Sequence, residues 1–173
     1  MKLSQEFVLA DKTKHNLKSF DCEKPDMNQY LARFALRNME LGLNSTWVLP
    51  VINEEKANDK ADVAAYFTLA TSTVTREEIP TDKKLPGYPV PAVLLARLAV
   101  DIKYKKQGLG DKTLITALRK SAELTEAGLP AHCLILDVLD TDALTYYQRF
   151  DMFIPFTGDP MRLFVSMHVV KKI

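Results

Sequence analysis

The chain has 173 residues, 47% of them apolar and 26% charged, with a net charge of +1. That length and balance describe one globular domain, 1–173, with enough apolar side chains to build a core without disulfide or metal staples. The near-neutral charge excludes a global field for nucleic acid, so any such contact rests on a local basic patch; Cys22 and Cys133, far apart and outside any CxxC pair, fit a reducing compartment rather than a disulfide framework or a zinc site.

Met1–Ala10 mixes charge with apolar residues and has no signal-peptide core, and no apolar run approaches the roughly 20 residues that span a bilayer. A cytoplasmic protein with no membrane partner is expected. Glu6–Ala10 reads as a short first strand. After Phe20-Asp21-Cys22, Pro25 and Asp26 lead into a helix whose apolar residues Met27, Tyr30, Leu31, Phe34, Ala35, Met39 and Leu41 recur at three- and four-residue spacing, with Gly42 as its stop. Thr46–Ile52 and Val63–Val74 read as two strands of a hairpin about the polar turn Asn53–Asp59, Pro50 marking an edge or bulge. The charged stretch Arg76–Pro91, with four prolines, reads as a long surface loop, a length that is uncommon and often functional.

An apolar strand ending at Asp101 follows, then the basic turn Lys105-Lys106-Gln107-Gly108-Leu109-Gly110, then a helix from Asp111 to Ala127 with Leu114, Leu118, Ala122 and Leu124 on or near its buried face. Strand, glycine-bearing turn and helix start together make a phosphate cradle: glycine lets the backbone approach an anion, and the first helical N–H groups point at it. The turn lacks the patterns of dinucleotide-binding and P-loop proteins. Gly128 and Pro130 end the helix. Cys133–Leu139 is the continuous apolar run of a strand buried on both faces. Asp140 or Thr141 caps a short helix through Tyr146 and Tyr147, and Met152–Phe156 and Leu163–Val170 close the chain as strands. The order β-α-β-β-loop-β-α-β-α-β-β is α/β or α+β, a mixed sheet flanked by helices.

The turn Lys105–Gly110 resembles the Arg/Gln-x-x-Gly-x-Gly/Ala motif of the Gcn5-related N-acetyltransferases. Within that superfamily the chain is similar to bacterial toxins that pair with ribbon-helix-helix antitoxins. The matching segments are Phe20-Asp21-Cys22-Glu23, Tyr88-Pro89-Val90-Pro91, Leu95-Ala96-Arg97-Leu98-Ala99-Val100-Asp101, Tyr146-Tyr147-Gln148-Arg149 and Asp159-Pro160-Met161-Arg162-Leu163. The resemblance implies a mostly antiparallel central sheet of about six to seven strands flanked by helices. It implies acetyl-coenzyme A as co-substrate, held at its pyrophosphate by the backbone of Lys105, Lys106, Gln107, Gly108, Leu109 and Gly110, with Asp111 at the helix start. Leu98, Ala99 and Val100 would pair with the pantetheine arm and polarise the thioester carbonyl. Tyr147 would protonate the departing thiolate, with Tyr146 packing beside it. No metal is implied.

Two departures from the family pattern stand out. Lys105 replaces the usual Arg/Gln, a point charge in place of a fork. Phe150-Asp151-Met152-Phe153 lacks the glycine that usually follows the Tyr147 helix. No general base is evident; His132 and His168 sit on expected strands and read as structural. That absence suits an α-amine, which titrates near 7.7–8.0, better than a lysine near 10.4. Resemblance to the toxins makes aminoacyl-tRNA the acceptor, a ribbon-helix-helix antitoxin a partner and a homodimer the assembly. A small-molecule or protein amine, or a coenzyme A-binding module without catalysis, remain as alternatives. Arg97, inside an apolar strand, is either ion-paired or edge-facing, or a substrate contact.

Overall fold

The computed structural model describes residues 2–173. Its strands are β1 (Lys2–Leu3), β2 (Val8–Leu9), β3 (His15–Asn16), β4 (Ser45–Ile52), β5 (Ala61–Val74), β6 (Val90–Val100), β7 (Cys133–Asp137), β8 (Ile154–Phe156) and β9 (Asp159–Ser166). The helices are α1 (Pro25–Gln29), α2 (Ala35–Glu40), α3 (Leu109–Glu126), α4 (Thr141–Gln148) and α5 (Met167–Val170). The sheet runs β1-β4-β5-β6-β7-β9-β8, with β2 on β4 and β3 on β5. The seven-strand path is the expected mixed sheet, and the two extra strands are two-residue additions to it. Among the described residues no helix is long and apolar enough to cross a membrane.

Two compact units divide the chain: Met1–Leu69 with Arg97–Ala117, and Ala70–Ala96 with Leu118–Ile173. In the first, β4 and β5 form the expected antiparallel hairpin, and its register shifts between Leu49 and Pro50, where proline cannot donate to the ladder. Val63 to Leu69 is buried on both faces of β5. One face packs Val63 and Tyr66 with Phe20, Leu31 and Ala35; the other packs Ala64 and Ala65 with Leu49, Val51 and Leu109. Each fully buried Leu or Val contributes about 1.5–3 kcal/mol. The expected first helix is real but interrupted: Tyr30–Phe34 forms a π-helical turn between α1 and α2. Gly42, at φ +73°, ends α2 in the left-handed conformation that glycine adopts without strain.

In the second unit β7 pairs in parallel with β6 at Ala92–Leu94 and antiparallel with β9 along its whole length. Cys133, Ile135, Phe156 and Phe164 anchor its core with Val90 and Ala92. Several boundaries differ from the sequence reading. The loop after β5 ends at Val90, and Pro91 lies inside β6, its carbonyl accepting the His132 N–H at 2.9 Å. Leu124 faces solvent at 47% exposure. The expected strand Leu163–Val170 stops at Ser166, whose hydroxyl accepts the Val169 N–H at 3.3 Å and caps α5. His168 therefore lies in a helical turn, and His132 precedes β7 rather than lying in it.

Candidate active site

Asp101 follows β6 directly and caps a single 3-10 turn, Ile102–Tyr104, by accepting the Lys103 N–H. The chain then turns through two left-handed residues, Lys106 at φ +63° and Gly108 at φ +75°. The first is tolerated strain on a lysine; the second is where glycine is needed, since nothing lies within 4 Å of a Cβ built there and backbone conformation alone sets the requirement. α3 begins at Leu109, two residues before the expected Asp111. Leu109 is buried against Leu49, Val51, Ala64 and Ala65, which pulls the helix start back. Its first intrahelical bond is Lys112 N–H to Gly108 O at 3.1 Å, so the N–H groups of Leu109 and Gly110 precede the ladder. Lys103, Lys105, Lys106 and Lys112 are exposed around this loop. Exposed backbone, left-handed turns, early helical N–H groups and a lysine rim fit a pyrophosphate. Lys105 also has a partner within the protein: its Nζ donates to the Cys22 carbonyl at 3.3 Å. Beside it the Asp21 carboxyl is held below the usual range, first by the Glu23 N–H and then by Asn28, with Lys105 adding its charge.

β6 leads into this loop. Its register with β7 covers only Ala92, Val93 and Leu94, so among the described residues Leu98, Ala99 and Val100 have no β7 partner. The Ala99 side chain packs in the core with Tyr66 and that of Val100 beside Leu109, while the backbone of 98–100 on the β7 side is open to an added strand. Arg97 is half-buried. Its guanidinium lies over the Tyr30 ring at 4.2 Å and its Nη1 meets Met27 Sδ at 3.8 Å. Tyr30 is itself pinned, donating to Asn44 Oδ1 at 2.9 Å and accepting from Asn38 Nδ2 at 3.3 Å. Among the described residues Arg97 has no carboxylate partner, which removes the ion-paired reading and leaves a stacked, charged fork.

Tyr147 lies near the end of α4, whose N-terminus Asp140 caps by accepting the Ala143 N–H at 2.8 Å. Its ring is edge-on to Tyr146 at 5.1 Å and to Phe153 at 5.6 Å. Burial pushes the phenol up to about 12, so it stays protonated at neutral pH. Among the described residues its hydroxyl has no hydrogen-bond partner. The missing glycine after α4 costs nothing here. Arg149 leaves the helix at φ −64° and Phe150 N–H bonds Tyr147 O at 3.0 Å, and no residue from 149 to 153 takes a positive φ.

The first unit thus brings together Arg97, Leu98–Val100 and the Lys105–Asp111 loop, while Tyr147 belongs to the second. Sequence reasoning assigned Tyr30 and Met27 to the core by periodicity alone. It gave no role to Asp101, Asp21 or Asn28, whose contacts lie up to 80 residues apart. Among the described residues no three His, Cys, Asp or Glu side chains are grouped to hold a metal ion.

No family model matches the chain. A tRNA-acetylating toxin from Mycobacterium tuberculosis is 31% identical over 152 residues, which cover 86% of this chain and 84% of that protein. Among solved structures, AtaT complexed with acetyl-methionyl-tRNAfMet superposes with a TM-score of 0.84 at 26% identity, covering 99% of this chain and 98% of the other. AtaTR bound with AcCoA gives 0.80 at 25% identity, covering 99% and 97%.

Proposed function

The chain belongs to the tRNA-acetylating toxins, N-acetyltransferases of the Gcn5-related superfamily, and from that premise we propose that it moves the acetyl group of acetyl-coenzyme A onto the α-amine of an aminoacyl-tRNA. An acetylated α-amine cannot form the next peptide bond, so translation stops. The observation that carries the reading is the unpaired edge of β6 running directly into a left-handed, lysine-rimmed loop at the start of α3.

Acetyl-coenzyme A supplies the activated acetyl thioester. Leu98–Val100 offer backbone to its pantetheine arm and a donor to the carbonyl, and Lys105–Gly110 with Asp111 cradle the pyrophosphate. Tyr147 keeps its proton at neutral pH and presents it to the thiolate. The α-amine is largely neutral near pH 8 and needs little help from a base. Arg97, stacked and lacking a carboxylate, suits an anionic acceptor such as an RNA end and disfavours a polyamine. We read residues 1–173 as one catalytic domain, since β5, β6 and α3 each contribute residues to both units. The protein works in the cytoplasm as a homodimer held in check by a ribbon-helix-helix antitoxin.

The test is direct. Purified protein incubated with acetyl-coenzyme A and charged tRNA should yield acetylated aminoacyl-tRNA, with growth arrest on induction in a host. Unaltered growth with no acetylated product removes the reading, and rapid turnover on a free amine would replace the acceptor.

A further inference from the structure

Asp101 is the one carboxylate among the buried polar residues described, 4% exposed at the junction of β6 and the cradle. A buried carboxylate needs donors on both oxygens, and here they come from two distant segments. Oδ1 accepts the Lys103 N–H at 2.9 Å and Oδ2 the Asp21 N–H at 3.0 Å. The connection is reciprocated, because the Asp21 carbonyl accepts the Ile102 N–H at 2.8 Å. Asp21 is fixed in turn: its Oδ1 accepts the Glu23 N–H at 2.9 Å and Asn28 Nδ2 at 3.0 Å, while Asn28 Oδ1 takes the Cys22 N–H at 2.8 Å. Glu23 sits at φ +70°, a conformation this bonding holds in place. Finally the Cys22 carbonyl receives Lys105 Nζ.

Beyond Lys105 the loop is exposed through Gly108 and is next fixed at the buried Leu109. Its approach to the cofactor is therefore set on one side by α3 and on the other by this chain of bonds from residues 21–28. We propose that Asp101 and Asp21, braced by Asn28, are positioning residues that hold the pyrophosphate loop in its binding conformation from the segment Asp21–Asn28. The inference rests on reading Lys105–Gly110 as the coenzyme A cradle. Asp101 itself touches no substrate; it acts through the backbone of Lys103 and the placement of Lys105.

Acetyl-pantetheine, which ends before the pyrophosphate, separates positioning from general damage. In Asp101→Asn one oxygen becomes an amide donor facing an N–H. The dissociation constant of coenzyme A by calorimetry and the KM for acetyl-coenzyme A should both rise about 10- to 100-fold. The kcat at saturation and the kinetics with acetyl-pantetheine should stay within about two-fold. Asn28→Ala should show the same pattern at about three- to ten-fold, and it decides the matter should Asp101→Asn not fold. Equal losses with both donors, or no change in coenzyme A binding in Asn28→Ala, overturn the proposal. A wild-type protein with no preference for acetyl-coenzyme A over acetyl-pantetheine overturns the cradle reading instead.

Discussion

Tyr147→Phe perturbs the leaving-group assignment with the least change in packing. Phenylalanine keeps the edge-on contacts with Tyr146 at 5.1 Å and Phe153 at 5.6 Å. Because the hydroxyl makes no hydrogen bond among the described residues, its loss breaks nothing internal. Stability should move by no more than about 0.5 kcal/mol, and the melting temperature by no more than about 2 °C for a chain of this size. The rate should behave differently. Burial holds the phenol at about 12, whereas an ordinary thiol titrates near 8.5, so complete proton transfer to a free thiolate runs uphill by roughly 3.5 pK units, about 5 kcal/mol. Tyr147 then stabilises the thiolate chiefly as a hydrogen-bond donor, and kcat should fall about 100-fold, the low end of general-acid effects, with the KM for acetyl-coenzyme A nearly unchanged. The same burial fixes the pH profile. A raised phenol pKa keeps the donor protonated as pH climbs, so kcat should rise as the acceptor amine deprotonates near 7.7–8.0 and stay flat to about pH 10. Steady-state kinetics from about pH 6 to 10, beside a thermal melt, make the measurement. Unchanged kcat in the phenylalanine variant would refute the assignment. A wild-type alkaline limb near pH 10 that this variant lacks would leave Tyr147 as the donor and refute instead the rise of its pKa by burial.

Arg97→Gln should raise the KM for aminoacyl-tRNA about ten-fold and lower the salt slope of binding by about one, while an aminoacyl nucleoside without phosphate reacts almost normally; equal effects on both acceptors would contradict an anion contact. Gly108→Ala should cost about 1–2 kcal/mol in a denaturant titration, because φ +75° is strained for a side chain and no neighbour clashes, and Lys106→Gly should relieve a similar strain at φ +63°. His15 is buried and its Nδ1 accepts the Asp11 N–H at 3.0 Å, and burial lowers its pKa below 6.5. The unfolded chain thus binds the proton more readily, so this contribution is fully present above about pH 6.5 and is lost as pH falls toward the folded pKa. His15→Asn keeps an acceptor and should flatten the stability curve as pH falls below about 6.5; an unchanged slope would assign the loss to other groups.

What was legible in the sequence was what depends on neighbours along the chain. The β4–β5 hairpin, the Asp140 cap and the Gly42 and Gly128 stops each follow from local pattern and stand where periodicity and turn chemistry put them, whereas the expected buried strand Cys133–Leu139 ends at Asp137, with Asp137 and Leu139 exposed. Of the other boundaries that moved, the start of α3 did so for a tertiary reason and the end of β9 through a local helix cap. Leu109 is drawn into a pocket between Leu49 and Ala65 and starts α3 early, and Ser166 turns its hydroxyl back on the chain and ends β9. The π-helical turn at Tyr30–Phe34 was not anticipated by α-helical spacing: its extra residue turns Phe34, expected on the apolar face, out to solvent and seats Ala35 in the core.

The site divides along the same line. The Gly-bearing turn and Tyr147 are short motifs that can be picked out along the chain, whereas the surroundings of Arg97 depended on what lay across from it. A carboxylate would have made it a structural ion pair; Tyr30 and Met27 instead hold the guanidinium flat and leave its charge unpaired. Asp101 shows the opposite case. In the sequence it was only the last letter of a strand motif, and Asp21 only the second letter of another. Their carboxylate–amide bond spans 80 residues and makes one device of two motifs. On the proposed reading the loop presents bare N–H groups to an anion and cannot satisfy them internally, so its shape is imposed from outside, and the buried Asp101 carboxylate stands where β6 gives way to that loop.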